Sequence, residues 1–278
     1  MTFEVLTPRS LTEALDALDS EKNLLPMAGA TDLMVYLEAG SLPACTFLNL
    51  QEVSELRPSL SVNGGLTLGA LTTYRDVRVS SVKDDFPMLA RAAREIGSLA
   101  IQSRGTWAGN IANASPAADG VPALMAYDAD VELASKKGRR RIPLSSFYRG
   151  YKQMDRRPDE LIAAVHLPSR PPGWREYFRK VGTRRFQAIS KTLLAGRILM
   201  DSENVVKDVR LVFASVAPYT LRAVRTEGVL RGRELTPALV HRAVESLQDE
   251  IHPIGDIRST EAYRRRVTSN LLRDFLQN

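Results

Sequence analysis

The sequence predicts an α+β protein in which a two-part α/β domain precedes a smaller domain of antiparallel strands and helices. Three observations support this class. Strand and helix patterns alternate up to residue 54, strand-like segments recur between residues 129 and 167, and a Pro/Gly-rich segment spans residues 168–173. The chain has 278 residues, which is enough for two domains.

The first part begins with a helix start. Ser10 and Glu13 have the spacing of a capping box, and apolar residues follow at helical intervals. Leu24–Met27 and residues 46–50 have the composition of short strands, and residues 33–39 between them have a helical pattern. Because strands alternate with helices, we expect a small unit with neighbouring parallel strands.

The second part differs in pattern from residue 60 onward. Asn63-Gly64 signals a hairpin within residues 61–68, and a helix is expected over residues 87–99 with Leu89, Ala93 and Ile96 on one face. A further helix is expected near residues 122–127. Strand-like segments at residues 129–134, 140–144 and 159–167 predict a mixed or antiparallel sheet.

The residues after the Pro/Gly-rich segment predict a small antiparallel sheet packed with helices. Strand-like segments lie at residues 176–181, 191–199 and 206–214, the last two around a polar turn at residues 201–204. Amphipathic helices are expected at residues 236–250, with Thr236 as the cap and Pro237 at the first position, and at residues 259–276. We therefore expect domains at residues 1–172 and 173–278, the first divided into subdomains at about 1–54 and 55–172.

The composition is that of a globular protein, with 44% hydrophobic and 25% charged residues. No apolar run is long enough for a membrane span, and the N-terminus lacks a secretion signal, so we expect a cytoplasmic protein. The single cysteine, Cys45, excludes an internal disulfide and an iron–sulfur cluster held by this chain alone. The three histidines are too scattered for a zinc motif.

The net charge of +6 raises the possibility of nucleic-acid binding, which the distribution of the charge does not favour. Residues 136–141 lie between alternating segments, as at a hairpin tip, and residues 264–266 lie in a helical pattern. Neither cluster has interleaved aromatic residues that could stack bases. We expect solvated faces, or a docking surface for an acidic partner protein, and no nucleic-acid partner.

Two segments of small residues have the character of loops that approach a ligand. Residues 27–33 follow a strand and open a helix, and residues 106–110 begin a run of small and amide side chains that extends to Asp119. Small side chains leave backbone N–H groups accessible, and a helix N-terminus adds positive charge, so two such segments could hold a pyrophosphate. Neither matches a phosphate loop or GxGxxG. Taken singly, each segment could also be an ordinary strand-to-helix turn.

The two segments resemble the flavin loops of the medium, FAD-binding subunit of molybdenum hydroxylases, the xanthine dehydrogenase and carbon monoxide dehydrogenase family. Residues 28–32 are similar to the family's Ala-Gly-Gly-Thr-Asp loop. Residues 106–111, with Ser115, Pro116 and Asp119, are similar to its Thr-Ile-Gly-Gly-Asn-Ile…Ser-Pro…Asp segment. Residues 178–185 and 258–264 are similar to further family signatures. The resemblance extends over essentially the whole chain, in the same order.

The resemblance implies a two-part FAD-binding domain of the PCMH type with non-covalent FAD. The two segments would approach the pyrophosphate, and Asp119 would accept hydrogen bonds from ribitol or ribose hydroxyls. Lys180 would lie near the flavin and stabilise its reduced, anionic form; the alternative is a surface lysine on an edge strand. The implied cofactor-binding residues are Met27, Ala28, Gly29, Ala30, Thr31, Asp32, Leu33, Ile96, Ile101, Thr106, Trp107, Ala108, Gly109, Asn110, Ser115, Asp119, Ile162 and Lys180. Ile96, Ile101 and Ile162 would form apolar walls. No catalytic or metal-binding residue is expected.

The resemblance also implies an electron-transfer function within a complex. A large partner would carry molybdopterin and a small partner two-iron two-sulfur clusters, and electrons would pass through FAD to an acceptor such as NAD or oxygen. One alternative is a self-sufficient flavin oxidase of the wider FAD-binding fold. It is disfavoured because no histidine precedes His166 and Cys45 lies outside both segments. The other alternative is a scaffolding subunit that has lost its flavin.

Three departures from the family pattern concern the geometry of the segments. Ala30 and Ala108 replace glycines, and a methyl group there is tolerable only where φ is negative. Trp107 replaces an isoleucine, and we expect it to fill the core rather than pack on the flavin. The acidic residue that often follows Arg184-Arg185 in the family is absent.

Overall fold

The computed structural model describes residues 4–57, 65–184 and 187–278. The Asn63-Gly64 hairpin signal and Arg185 lie outside these residues. The strands are β1 (Glu4–Leu6), β2 (Leu24–Met27), β3 (Thr46–Asn49), β4 (Gly65–Gly69), β5 (Asp130–Ser135), β6 (Gly138–Pro143), β7 (Tyr148–Gly150), β8 (Gln153–Met154), β9 (Leu161–Pro168), β10 (Trp174–Val181), β11 (Thr192–Met200), β12 (Val206–Ala214) and β13 (Leu221–Arg222). The helices are α1 (Leu11–Ser20), α2 (Thr31–Glu38), α3 (Tyr74–Val79), α4 (Val82–Asp85), α5 (Pro87–Glu95), α6 (Leu99–Arg104), α7 (Trp107–Asn113), α8 (Gly120–Ala126), α9 (Val224–Leu230), α10 (Pro237–Glu250) and α11 (Glu261–Gln277).

The first part of the chain forms the parallel unit that the sequence predicts. Its sheet has the order β1-β3-β2, and both pairings are parallel. At the start of α1 the Ser10 Oγ accepts a hydrogen bond from the Glu13 N–H at 3.2 Å. The Glu13 carboxylate accepts from the Arg9 N–H at 2.8 Å, one residue before the position that a capping box requires. The helix start is therefore confirmed, with its second bond displaced by one residue.

The second part contains an antiparallel sheet of order β4-β9-β5-β6. The prediction of a mixed or antiparallel sheet is thus confirmed in its antiparallel form. Ser135 pairs with Gly138 at the end of the β5–β6 hairpin, so of the tip predicted at residues 136–141 only Lys136 and Lys137 form the turn, and residues 138–141 belong to β6. A second, short hairpin pairs β7 with β8, and Lys152 in its turn has a φ of +53°.

The helix expected over residues 87–99 ends early, at Glu95, and a second helix begins at Leu99. Helix α5 ends at Glu95, and Gly97 adopts a φ of +55°, which turns the chain out of the helix. The Ser98 Oγ then caps α6 by accepting from the Ile101 N–H at 3.3 Å. The single-helix prediction is therefore wrong after Glu95, although Leu89 and Ala93 lie in the core as expected.

Residues 106–113 also differ from the expected loop, because they form a cap and a short helix. Thr106 is the N-cap of α7, and Ala114, at a φ of +48°, ends it. The small residues of this segment therefore occupy the first turn of a helix. The sequence predicted that these small residues form a loop beside a helix N-terminus. In the structure they form the helix N-terminus itself.

The C-terminal part is the predicted antiparallel sheet with helices. The sheet has the order β10-β11-β12-β13, and α10 and α11 begin at the caps Thr236 and Thr260. Side chains alternate across β11: Leu193 belongs to the core of the preceding domain, and Leu194 to the core formed with the C-terminal helices. One sheet thus contributes to both cores.

Arg264 departs from the expected solvated helix face. Its side chain is only 4% exposed, and its guanidinium donates to the Lys191 carbonyl oxygen at 2.7 Å and to Asp256 at 2.9 Å. The N-terminal end of α11 lies against the start of β11, so this arginine binds backbone oxygens that would otherwise lack a donor. The expectation of a solvated cluster is therefore wrong for Arg264, whereas Arg266 is exposed.

No helix among the described residues has the length and apolar character that a membrane span needs.

Candidate functional site

A cavity of about 420 Å³ lies where the parallel unit meets the second part of the chain. Its walls come from the turn between β2 and α2, from α7, from the segment containing β7 and β8, and from the start of β9. The predicted residues that line it are Ala28, Gly29, Ala30, Thr31, Asp32, Leu33, Thr106, Ala108, Gly109, Asn110 and Ile162. Both small-residue segments therefore face one cavity.

Glycine allows the two segments to approach each other. A Cβ atom on Gly29 would lie 1.9 Å from the carbonyl oxygen of Arg104, so no side chain fits at this position. A Cβ atom on Gly105 would lie 3.3 Å from the Thr31 Oγ1. The first segment thus packs directly on the backbone of Arg104 and Gly105, immediately before the second segment, which fixes their relative position.

The first turn of α2 presents backbone donors with no internal partner. Its N-cap is Ala30, at a φ of +61°, and no side chain caps the helix. Within residues 4–57, 65–184 and 187–278, the N–H groups of Thr31, Asp32 and Leu33 have no hydrogen-bond acceptor. Unpaired N–H groups at a helix N-terminus favour an anion, because each donor points outward and the helix dipole is positive there. This turn therefore suits a phosphate group.

The first turn of α7 is mostly satisfied by the protein itself. The Thr106 Oγ1 accepts from the Gly109 N–H at 3.0 Å, and the Thr106 carbonyl oxygen accepts from the Asn110 N–H at 3.0 Å. The Trp107 N–H donates to the Thr72 carbonyl oxygen at 3.1 Å. Of these four groups only the Ala108 N–H lacks an acceptor in the described part of the chain. Helix α7 thus offers one free backbone donor where α2 offers three.

Asn110 connects the cavity with the residues behind α7. Its side chain lines the cavity, and its Oδ1 accepts from the Gly120 N–H at 3.2 Å. Trp107 is fully buried, with its ring centroid 5.2 Å from that of Tyr74 in an edge-to-face contact. The expectation that Trp107 fills the core agrees with this packing.

Asp119, Lys180 and Ser190 form a buried triad outside the cavity lining. The Lys180 Nζ lies 2.7 Å from the Asp119 Oδ2 and donates to the Glu95 carbonyl oxygen at 2.9 Å. The Ser190 hydroxyl donates to the other Asp119 oxygen. Burial raises the pKa of Asp119, while Lys180 and Ser190 act in the opposite direction. The Lys180 side chain is 2% exposed, so the alternative of a surface lysine is wrong.

The remaining predicted residues lie beside the cavity rather than in its walls. Met27 ends β2, and its carbonyl oxygen accepts from the Leu50 N–H at 3.0 Å. The Ser115 Oγ accepts from the Ala117 N–H at 3.2 Å. Ile96 lies near Gly120, and Ile101 lies against Gly97. Ile96 is therefore close to Gly120, the residue that follows Asp119 of the buried triad, and Ile101 packs at the turn between α5 and α6.

The cavity also contains polar residues that the sequence did not indicate. The Tyr36 hydroxyl donates to the Asn113 Oδ1 at 3.1 Å and accepts from the Lys152 Nζ at 2.8 Å. Arg156 is the other cation of the wall, and its guanidinium donates to the Glu160 carbonyl oxygen at 2.7 Å. Lys152 is 116 positions from Tyr36, and no local pattern relates them.

The cavity wall contains two cations, Lys152 and Arg156, and two carboxylates, Asp32 and Glu160. In the described ranges, neither Lys152 nor Arg156 forms an ion pair with a carboxylate. The hydrogen bond from Arg140 holds the pKa of Glu160 below its usual range, and the Glu160 carboxylate forms an ion pair with Arg140 at 2.6 Å. Partial burial raises the pKa of Asp32, which the charge of Lys152 opposes. Lys152 and Arg156 are therefore the cations that the wall offers to an anionic ligand, and the charge of Asp32 opposes them.

Comparisons with known proteins show which family the chain is similar to. Residues 1–170 match the family described as the FAD binding domain in molybdopterin dehydrogenase, and residues 176–278 match the CO dehydrogenase flavoprotein C-terminal domain. The glyceraldehyde dehydrogenase medium chain of Sulfolobus acidocaldarius is 30% identical over 271 residues, 97% of this chain and 95% of that protein. The carbon monoxide dehydrogenase medium chain of Hydrogenophaga pseudoflava is 26% identical, covering 99% of this chain and 96% of that protein.

The fold has a close counterpart among solved structures. Carbon monoxide dehydrogenase from Hydrogenophaga pseudoflava, in a form that lacks the Mo-pyranopterin moiety of its cofactor, contains a chain that superposes with a TM-score of 0.94 at 24% identity. The match covers 100% of this chain and 96% of that chain. The unpaired N–H groups and the close backbone approach at Gly29 fit the phosphates of FAD. The chain therefore belongs to the family of FAD-binding medium subunits of molybdenum hydroxylases, and it is the flavin-binding subunit of an oxidoreductase.

Proposed function

We propose that this subunit carries electrons from two-iron two-sulfur clusters on a small partner, through FAD in the cavity described above, to an acceptor such as NAD or oxygen. Substrate would be oxidised at molybdopterin on a large partner. FAD supplies the ability to take up electrons singly and release them in pairs. The observation that carries the proposal is the convergence of the two small-residue segments on one cavity, whose wall has three N–H groups without an acceptor among the described residues.

The chain's own residues would hold FAD in two regions. The first turn of α2 and the Ala108 N–H would bind the diphosphate, and Ile162 would provide an apolar wall. Asp119 and Lys180 would act at the ribityl and flavin end, next to Gly120, whose N–H donates to the cavity-lining Asn110. Lys180 is already paired with Asp119, so its positive charge is partly neutralised before the cofactor binds.

The absence of a suitable attachment residue supports non-covalent binding. Cys45 does not line the cavity, nor do the histidines. The ring of His166 bonds to Glu132 at 2.8 Å and to Thr67 at 3.0 Å, which occupies both of its nitrogens. One cysteine also requires that iron–sulfur clusters be held by another chain. Partner subunits are therefore part of the proposal, and the cytoplasmic location stays a prediction.

Flavin release and reconstitution test this function together. The purified chain should be yellow, and acid precipitation should release the chromophore into the supernatant. Alone it should oxidise no purine, aldehyde or carbon monoxide. With both partners, substrate should bleach the flavin, and omission of the iron–sulfur subunit should abolish the bleaching.

The contrary outcomes separate the alternatives. Colour that stays with the precipitate would contradict non-covalent FAD. Substrate oxidation by the chain alone would favour a self-sufficient oxidase, and a chain that binds no flavin at all would favour a scaffolding subunit.

A further inference from the structure

We propose that Lys152 is a binding residue for the diphosphate of FAD and that Tyr36 and Asn113 position it there. The inference rests on the proposed placement of FAD in the cavity. It adds a side-chain cation to a diphosphate site otherwise made of backbone N–H groups. Lys152 lies in the two-residue turn between β7 and β8, far in sequence from both small-residue segments.

A chain of contacts holds the lysine over the cavity. The Lys152 Nζ donates to the Tyr36 hydroxyl at 2.8 Å and lies 4.9 Å from the centroid of the Tyr36 ring. Tyr36 in turn donates to the Asn113 Oδ1 at 3.1 Å. Tyr36 belongs to α2 and Asn113 to α7, so the contacts join the β7–β8 turn to the two helices whose first turns face the cavity. The ammonium group is therefore held by the same elements that supply the backbone donors.

The lysine is charged and has no counter-ion of its own. Its hydrogen bond to Tyr36 raises the pKa of Lys152, so the ammonium is fully protonated near neutral pH. In the residues that the structure describes, no carboxylate lies within ion-pair distance of its Nζ. It is near enough to the first turn of α2 for its charge to act on Asp32. An anion bound at that turn would feel the same charge.

The backbone at this position guides the choice of variant. Lys152 has a φ of +53°, a conformation that asparagine tolerates better than most residues. Lys152→Asn therefore removes the charge while keeping a side chain suited to the turn. Lys22→Asn is the matched control, because it makes the same change of net charge at an exposed turn after α1.

FAD titration of the full chain, followed by flavin fluorescence at low and high salt, tests the proposal. Lys152→Asn should weaken FAD binding by about tenfold, the effect of losing one charge-assisted bond, and should make the affinity less dependent on salt. Tyr36→Phe, which keeps the ring but removes the hydroxyl, should weaken binding by a smaller factor. Lys22→Asn should match the wild type in both affinity and salt dependence.

Two outcomes would contradict the role of Lys152 in FAD binding, and a third would contradict the proposed function. Equal affinities of Lys152→Asn and Lys22→Asn for FAD would contradict the role of Lys152. A weakening with unchanged salt dependence would also contradict it, because Lys152 would then act through packing. Failure of the wild-type chain to bind FAD would contradict the proposed function itself, which the first two outcomes leave intact.

Discussion

The first turn of α2 and the buried triad of Asp119, Lys180 and Ser190 are both expected to serve the cofactor, yet they differ in hydrogen bonding. The N–H groups of Thr31, Asp32 and Leu33 have no acceptor among the described residues. Each triad side chain, in contrast, is hydrogen-bonded to another, and Lys180 also reaches the Glu95 carbonyl oxygen. The resemblance to the family assigns both regions to FAD without distinguishing them.

Because of this difference, we expect substitutions at the first turn of α2 to change FAD affinity and substitutions in the triad to change stability. Donors left unpaired by the protein gain their partner only from a ligand, so changes there should act chiefly on affinity. A buried ion pair is part of the folded state before any ligand arrives, and removing one member leaves the other charge buried without compensation. Changes in the triad should therefore lower the free energy of unfolding even without FAD.

The largest effect is expected from Asp119→Ala. It leaves the 2%-exposed Lys180 side chain without its carboxylate and should lower the free energy of unfolding by about 3–5 kcal/mol. Urea unfolding of the flavin-free chain measures this. Asp119→Ala combined with Lys180→Met should be less destabilised than the two single losses added together, because neither charge is then left alone. A loss below about 1 kcal/mol in the single variant would show that the triad is not a stabilising unit.

A smaller effect is expected from Gly29→Ala, which acts on the cavity. The new methyl group would lie 1.9 Å from the Arg104 carbonyl oxygen and would push the two segments apart. We expect a loss of about 1–3 kcal/mol in stability, together with weaker FAD binding. Gly228→Ala is the control, since a Cβ atom there meets nothing within 4 Å and its helix should gain about 0.5–1 kcal/mol. If Gly29→Ala and Gly228→Ala gave the same FAD affinity, the close contact between Gly29 and the Arg104 backbone would not be needed for FAD binding.

The smallest effects come from the two alanines that replace family glycines, and they should have opposite signs. Ala30 has a φ of +61°, so Ala30→Gly should relieve strain and stabilise the chain by about 1 kcal/mol or less. Ala108 is in the first turn of α7 with helical geometry, so Ala108→Gly should destabilise by about 0.5–1 kcal/mol. Thermal unfolding of both variants measures the difference. Shifts of the same sign would contradict the assigned conformations.

The sequence predicted those features that depend on local pattern. The caps Ser10 and Thr236 and the strand-like composition of β11 act over a few residues, so their signals are present in the sequence. The break after Glu95 depends on Gly97 adopting a positive φ, and the sequence alone does not show which glycines do so.

The site was only partly predictable for a related reason. The family-like segments identified the backbone walls, because small residues next to helix starts have a local signature. Lys152 and Tyr36 meet across 116 positions, and Lys180 and Asp119 across 61, so neither pairing has a local signal. Arg264 likewise reaches the Lys191 carbonyl oxygen only when α11 packs against β11.

The measurement that tests the central claim most directly is amide hydrogen exchange at residues 31–33, with and without FAD. In the flavin-free chain these N–H groups should exchange fast, because the described structure gives them no acceptor. FAD should slow their exchange by about tenfold or more, whereas riboflavin, which lacks the diphosphate, should leave it unchanged. The amides of β11, which is paired on both sides, should be protected in both states. If FAD bound with unchanged exchange at residues 31–33, the first turn of α2 would not be the diphosphate site.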